Sequence, residues 1–398
     1  MPDTNSKTRW WMLVLLTATG TFVAGIQMSC MPPLFKEISD ELGLSLVQIG
    51  SVWGLSSLAG IFVSILGGVL SDRFGAKRIL TIFCILTGIT GALRGVADSF
   101  AVLSLFVILN GAVRLIIPVS VTKTIGLWFR GPRLGMAMGV GAMGMGLGLM
   151  LGPLLSATVL SPWLGGWRNA LFFLGGVSAF IGVLWWLFGR EPPAAEPADE
   201  KPETISVRQA ISELVRVRVI WIVGLTLLFR IGCLMGMNGY IPLYLRGQGW
   251  APAAADATLS VFYAVSTLCV VPLTYLSDRL GSRLKVMIPA TIVTIVCVGL
   301  IPLADGAGVW TLMIINGIFM DGFMALSTTV LMESKGVKPV YSGIALGMIF
   351  TIAQIGAVAA PPLGNALASV SAGTPFYFWA ALAVVSLGVL TFYRKART

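Results

Sequence analysis

The chain has 398 residues, 56% of them hydrophobic and only 11% charged, with a mean hydropathy of +0.89. A water-exposed globular surface cannot be built from that mixture, so the chain is expected to lie in lipid as an all-α membrane protein. Its net charge of +10 comes without a histidine, and its five cysteines (Cys30, Cys84, Cys233, Cys269, Cys297) form no Cys-x-x-Cys pair, which argues against a zinc or redox centre and predicts no cofactor or metal.

Apolar runs of membrane length can be read at 10–35, 47–70, 79–97, 101–127, 135–160, 169–189, 219–245, 257–276, 286–304, 309–332, 340–365 and 375–393. Each meets the roughly 20 residues that about 30 Å of hydrocarbon demands, and their unbroken apolar character favours helices over alternating strands. These are the twelve expected spans, numbered below in chain order. The first follows Lys7 and Arg9 as a signal peptide does, but it is too long for one and is expected to be retained.

With a cytoplasmic amino terminus, most Lys and Arg fall on that side, leaving Lys36, Arg168 and Arg246 opposite. The positive-inside rule therefore places both termini in the cytoplasm and accounts for the net charge without nucleic acid. After Arg190 the sequence turns to Glu-Pro-Pro-Ala-Ala-Glu-Pro, which cannot pack into a regular element and reads as a linker. From Ser206, with Gln209 placed for a capping box, Ile211, Leu214 and Val215 predict a short amphipathic helix on the membrane surface. The expected organisation is a six-helix bundle over 1–190, a cytoplasmic linker with its helix over 191–218, and a second bundle over 219–398.

A charged turn is written twice, about half the chain apart. The first copy carries Gly68, Asp72, Arg73, Gly75, Lys77 and Arg78; the second carries Asp278, Arg279, Gly281 and Arg283, with Thr274 in the place of Gly68. The correspondence extends to Pro33 and Pro242, Asp98 and Asp305, Asn110-Gly111 and Asn316-Gly317, Gly148 and Gly356, and Pro153 and Pro361 at a nearly constant offset. Such spacing predicts two parallel six-helix repeats. In each turn a glycine permits a short reversal and an aspartate can accept hydrogen bonds from a helix amino terminus or an arginine, latching the cytoplasmic face.

The turn between the second and third spans, with its weaker copy between the eighth and ninth, resembles the signature of the major facilitator superfamily, and the resemblance covers essentially the whole chain. It implies twelve transmembrane helices, transport by alternating access, turns that stabilise one of the alternating states, and a central cavity lined by spans 1, 4, 7 and 10. The sequence Gly139-Val-Gly141-Ala-Met-Gly144 has the form of a dinucleotide fingerprint, but no strand precedes it, and its setting among further glycines predicts close helix packing. Gly148-x-x-x-Gly152-Pro153 resembles part of an antiporter motif of the superfamily.

Ionisable groups inside spans are costly and mark function. Arg114, Arg230 and Asp321 fall near the middles of spans 4, 7 and 10, with Asn110, Asn238, Asn316 and Gln27 as further polar candidates. By the resemblance all line the cavity. Tyr263 in span 8 and Gln354 in span 11 stand where some monocarboxylate-type relatives carry a basic residue. Two guanidiniums can clamp a carboxylate or similar oxyanion, and Asp321 can offset one of them and take up a proton when an anion arrives. The alternative is a structural pair between Arg230 and Asp321. Arg94 and Asp98, four apart, read as a local helix pair, and Lys123 as a snorkelling cation.

The expected function is secondary active transport of a small, organic anion, coupled to protons, by a monomer in the inner or plasma membrane. Its partners are the anionic solute, protons and the lipid bilayer. A drug or metabolite antiporter exporting apolar or cationic compounds is the rival reading. An enzyme is not expected, since no Ser/His, metal or paired-carboxylate set is visible.

Overall fold

The computed structural model describes residues 6–60, 74–129, 131–191, 207–334 and 336–397. Gly68, Asp72, Arg73 and Ser206 lie outside the described residues. Those described are helical, with no strand among them, and eleven helices are long and apolar enough to cross a membrane. They are the first span, Thr8–Ser29, and spans three to twelve: Ala76–Val96, Phe100–Trp128, Leu134–Leu164, Trp167–Phe188, Arg218–Gly247, Pro252–Arg279, Leu284–Leu303, Gly306–Met332, Ser342–Ser369 and Thr374–Phe392. The second is described over Leu46–Leu55, opened by a capping box in which Ser45 and Gln48 exchange side-chain and backbone bonds.

The chain gathers into two compact units, residues 1–37 with 62–203 and residues 38–61 with 204–398. In the first, glycines seat span 1 directly on span 5. A Cβ on Gly25 would stand 2.6 Å from the Met145 carbonyl oxygen and 2.7 Å from the Gly148 Cα, and Thr21 Oγ1 donates to the Gly144 carbonyl at 2.9 Å. The would-be nucleotide fingerprint is thus part of a helix-packing surface. Both spans contain a wide π-helical turn, Gly20–Gly25 and Ser156–Leu160.

In the second unit the second span lies against spans 7 and 11. Trp53 Nε1 donates to the Met235 carbonyl at 2.8 Å, and Asn365 Nδ2 to the Leu46 carbonyl at 2.8 Å. The short helix Val207–Leu214 forms as expected but divides its apolar residues: Ala210 and Leu214 are buried against Val337, Tyr341 and Ala345, while Ile211 and Val215 stay exposed.

Spans 4 and 10 are each interrupted midway. Span 4 breaks at Leu115, between helices Phe100–Arg114 and Ile116–Trp128, because Pro118 has no N–H to offer the Arg114 carbonyl. Span 10 breaks at Phe319, between Gly306–Ile318 and Met320–Met332, with no proline; there the Asp321 N–H donates to Ser266 Oγ of span 8 at 3.0 Å. Interrupted helices with a charged residue at the break are how transporters expose backbone polar groups at mid-membrane depth.

Candidate functional site

In the first unit, Gln27, Asn110 and Arg114 are all buried. Asn110 Nδ2 donates to the Thr87 carbonyl at 3.1 Å and to Thr90 Oγ1 at 3.2 Å, tying span 4 to span 3. Arg114 lies one turn further along span 4, at the break, and its Nε has no hydrogen-bond partner. Gln27 Nε2 is committed to the Leu174 carbonyl and to Ser178 Oγ of span 6, both at 2.9 Å. Its Oε1 receives a residue that the sequence placed elsewhere: Arg94.

Arg94 and Asp98 do not form the expected helix pair. Span 3 tightens into a 3-10 turn over Arg94–Val96 and Ala97 is extended, so the i, i+4 register no longer exists and Asp98 accepts instead from Ser99 Oγ at 3.1 Å. Arg94 is 2% exposed and donates to Gly91 O at 3.1 Å, Gln27 O at 3.4 Å and Gln27 Oε1.

In the second unit, Arg230 is 2% exposed. It donates to Thr294 Oγ1 at 2.9 Å and to the Phe319 carbonyl at 3.2 Å, and its guanidinium carbon sits 4.0 Å from the centre of the Phe323 ring. The charge therefore holds the broken end of span 10 by both a hydrogen bond and a cation–π contact. Thr294 Oγ1 in turn donates to Asn316 Oδ1 at 3.0 Å, and Asn316 Nδ2 points to Met237 Sδ at 3.6 Å.

Asp321 is half-buried, and no ion pair joins it to Arg230 among the described residues. It belongs to a separate group with Ser266, with Tyr263 close enough to interact electrostatically, and with Asn238, whose Nδ2 donates to the Tyr263 hydroxyl at 3.2 Å and whose Oδ1 has no partner. Gln354, half-buried, lies against Gly60. The second unit thus holds an arginine cluster around Thr294 and a carboxylate cluster around Ser266.

At the charged turns two acids the sequence reading did not single out, Glu191 and Glu333, hold described members. Gly75 has φ +83°, and Glu191 accepts from the Ala76 N–H at 3.0 Å and the Lys77 N–H at 3.1 Å, capping span 3. In the second copy Gly281 has φ +65°, and Arg283 pairs with Asp278 and with Glu333 at the end of span 10, the latter at 2.7 Å. The pairing of Arg246, at the end of span 7, with Asp256, at the start of span 8, at 2.6 Å was also missed. Their separation of ten positions bridges a turn, which helix spacing rules do not reach.

Comparison with known proteins gives the family. The chain is 28% identical to the probable nitrate/nitrite antiporter NarK1 of Thermus thermophilus over 256 residues, 62% of this chain and 56% of that protein. It is 24% identical to multidrug resistance protein MdtG of Salmonella arizonae over 407 aligned positions, 98% of this chain and 96% of that protein. The first match thus spans a little over half the relative's length. Among solved structures, a bacterial homolog of the human lysosomal transporter Spinster, inward-facing and unoccupied, superimposes with a TM-score of 0.78 at 18% identity, covering 98% of this chain and 96% of that one. The family model of the Major Facilitator Superfamily matches residues 17–339 and 249–398, so this multi-pass membrane protein belongs to that superfamily.

Proposed function

We propose that the chain is a secondary transporter carrying a small anion by alternating access of two six-helix halves, 1–190 and 219–398, joined by a linker over 191–218. The observation that carries the reading is Arg114: a buried guanidinium at a helix break, with its Nε left without a hydrogen-bond partner. A permanent charge kept in that condition is stabilised by an incoming anion, and the nitrate/nitrite relative supports the same class. Arg230 supplies the second charge, fixed in place by Thr294 and Phe319. Asp321, with Ser266, Tyr263 and Asn238, is the proton-carrying group. The turns with Gly75, Lys77 and Arg78, and with Asp278, Arg279, Gly281 and Arg283, latch the inner face through Glu191 and Glu333. In this reading the protein works as a monomer in the plasma membrane with both termini cytoplasmic, as the distribution of Lys and Arg supports.

Uptake into sealed vesicles containing the purified protein tests this, with carboxylates, nitrate and drug cations as solutes and with or without an imposed pH gradient. Anion uptake that collapses in Arg114→Gln supports the reading; a cation carried while every anion fails overturns it. That second outcome is the export of apolar or cationic compounds, a reading favoured by the nearly full-length match to the multidrug resistance protein.

A further inference from the structure

We propose that the ends of spans 1, 3 and 6 enclose a binding site for an anionic phospholipid of the surrounding bilayer, with Lys77 and Arg190 holding its phosphate. The site lies outside the transport machinery and does not depend on what the protein carries.

Span 6 packs along span 3 and touches the first helix of span 1. Where span 6 ends and spans 1 and 3 begin, the three leave a cavity of about 500 Å³. That is within the roughly 300–1,000 Å³ of sites that hold small ligands. Its wall is formed by Trp11 of span 1, Lys77 of span 3, and Leu187, Phe188 and Arg190 of span 6 and its end.

This wall has two chemistries. Lys77 is the second residue of span 3 and Arg190 lies two residues beyond the end of span 6, so both cations stand at the edge of the apolar stretch. No carboxylate lines the cavity, and neither cation is ion-paired among the described residues. Glu191 follows Arg190, but its oxygens accept from the backbone N–H groups of Ala76 and Lys77. It thus fixes the start of span 3 and leaves the Lys77 ammonium for another anion. Trp11, Leu187 and Phe188, in contrast, are each more than half exposed.

Exposed apolar side chains, tryptophan among them, beside cations at a helix end match the boundary between acyl chains and headgroups. A ligand that satisfies the whole wall carries an anion at one end and hydrocarbon at the other. A phospholipid has that form, and its phosphate offers acceptor oxygens to an ammonium and a guanidinium together. A zwitterionic headgroup adds an ammonium that the cavity, lined by no acid, leaves unpaired. The geometry therefore favours an anionic headgroup.

Native mass spectrometry of the purified full-length protein, equilibrated with equal amounts of phosphatidylglycerol and phosphatidylcholine of the same acyl chains, reads the preference of the first bound lipid. Phosphatidylglycerol is expected to be favoured about tenfold or more. Lys77→Gln/Arg190→Gln is expected to lose most of that preference, whereas Lys77→Arg/Arg190→Lys keeps it. Arg216→Gln/Arg218→Gln, which removes as much charge at the start of span 7, also keeps it. Arg190→Gln alone lowers the preference part-way and serves if the double variant does not fold. Glycerol 3-phosphate, the soluble phosphate without chains, is expected not to displace the lipid at equal concentration; if it does, the site is one for free phosphate and the lipid assignment is overturned. No preference in the unaltered protein, a preference untouched by Lys77→Gln/Arg190→Gln, or an equal loss in Arg216→Gln/Arg218→Gln overturns the site.

Discussion

Asn110 and Asn316, at equivalent places in the two repeats, do the same work with different partners. Each sits one turn before the break in its span and bonds back to the preceding span of its own repeat, Asn110 to Thr87 and Thr90, Asn316 to Thr294. Replacing either by leucine is expected to cost about 1 kcal/mol, the net worth of a buried hydrogen bond, with a larger loss for Asn316 because Thr294 also serves Arg230. The fall in the midpoint of thermal unfolding of the purified variants checks this.

Arg230 makes a sharper case. Lysine keeps the charge but cannot reach Thr294 and Phe319 together while stacking on Phe323. Arg230→Lys is expected to lose about 1.5–3 kcal/mol, the range for hydrogen bonds made by charged groups. Hydrogen exchange should rise at the amides around Phe319 before it rises elsewhere in span 10. Unchanged exchange there contradicts the role assigned to Arg230.

Asp321→Asn keeps shape and hydrogen-bonding capacity near Ser266 but carries no titrating proton. Solute exchange between equal concentrations is expected to continue in this variant, whereas accumulation driven by an imposed pH gradient is lost. Retained accumulation removes Asp321 as the coupling group.

The tether between helix Val207–Leu214 and the turn before span 11 responds to pH in a defined direction. Lys338 Nζ donates to Glu213 at 3.0 Å, and that bond foremost holds the Glu213 carboxyl below its ordinary value, while the same bond raises the Lys338 amine. A depressed carboxyl contributes stability above its unfolded pKa and loses it as pH falls through the folded one. A raised amine contributes below its unfolded pKa and loses it as pH rises through the folded one. The tether is therefore intact near neutrality and released at both extremes. Protection of the amides over residues 207–214, taken relative to the intrinsic exchange rate at each pH, should be greatest near pH 7 and fall in acid, a difference abolished by Glu213→Gln.

How much was legible follows from the range of each signal. Span positions and the doubled turn depend on composition and short spacing, and both were readable. The glycines of span 5 were read as a packing surface because no strand preceded them, and Gly144 and Gly148 do face span 1. Arg94 was not readable: its spacing from Asp98 suggested a helix pair, and only the tightened end of span 3 turns it inward to Gln27. The separation of Asp321 from Arg230 was likewise hidden. It depends on where span 10 breaks, and no proline marks that point.

Gly148→Val tests the seam between spans 1 and 5. The added side chain meets the Thr21 carbonyl and stands 2.8 Å from the Gly25 Cα, backbone atoms that cannot rotate away. A loss of at least about 1–3 kcal/mol is expected, the usual penalty of overpacking, read as a lower unfolding midpoint.

That seam also restricts how the first unit can bend. Helices touching backbone to backbone have no intervening side chains to act as a lubricating layer, so spans 1 and 5 must travel as one rigid beam. The wide turn Gly20–Gly25 lies inside that beam, against Gly144, Met145 and Gly148, so flexing of span 5 has to concentrate beyond it, at the wide turn Ser156–Leu160.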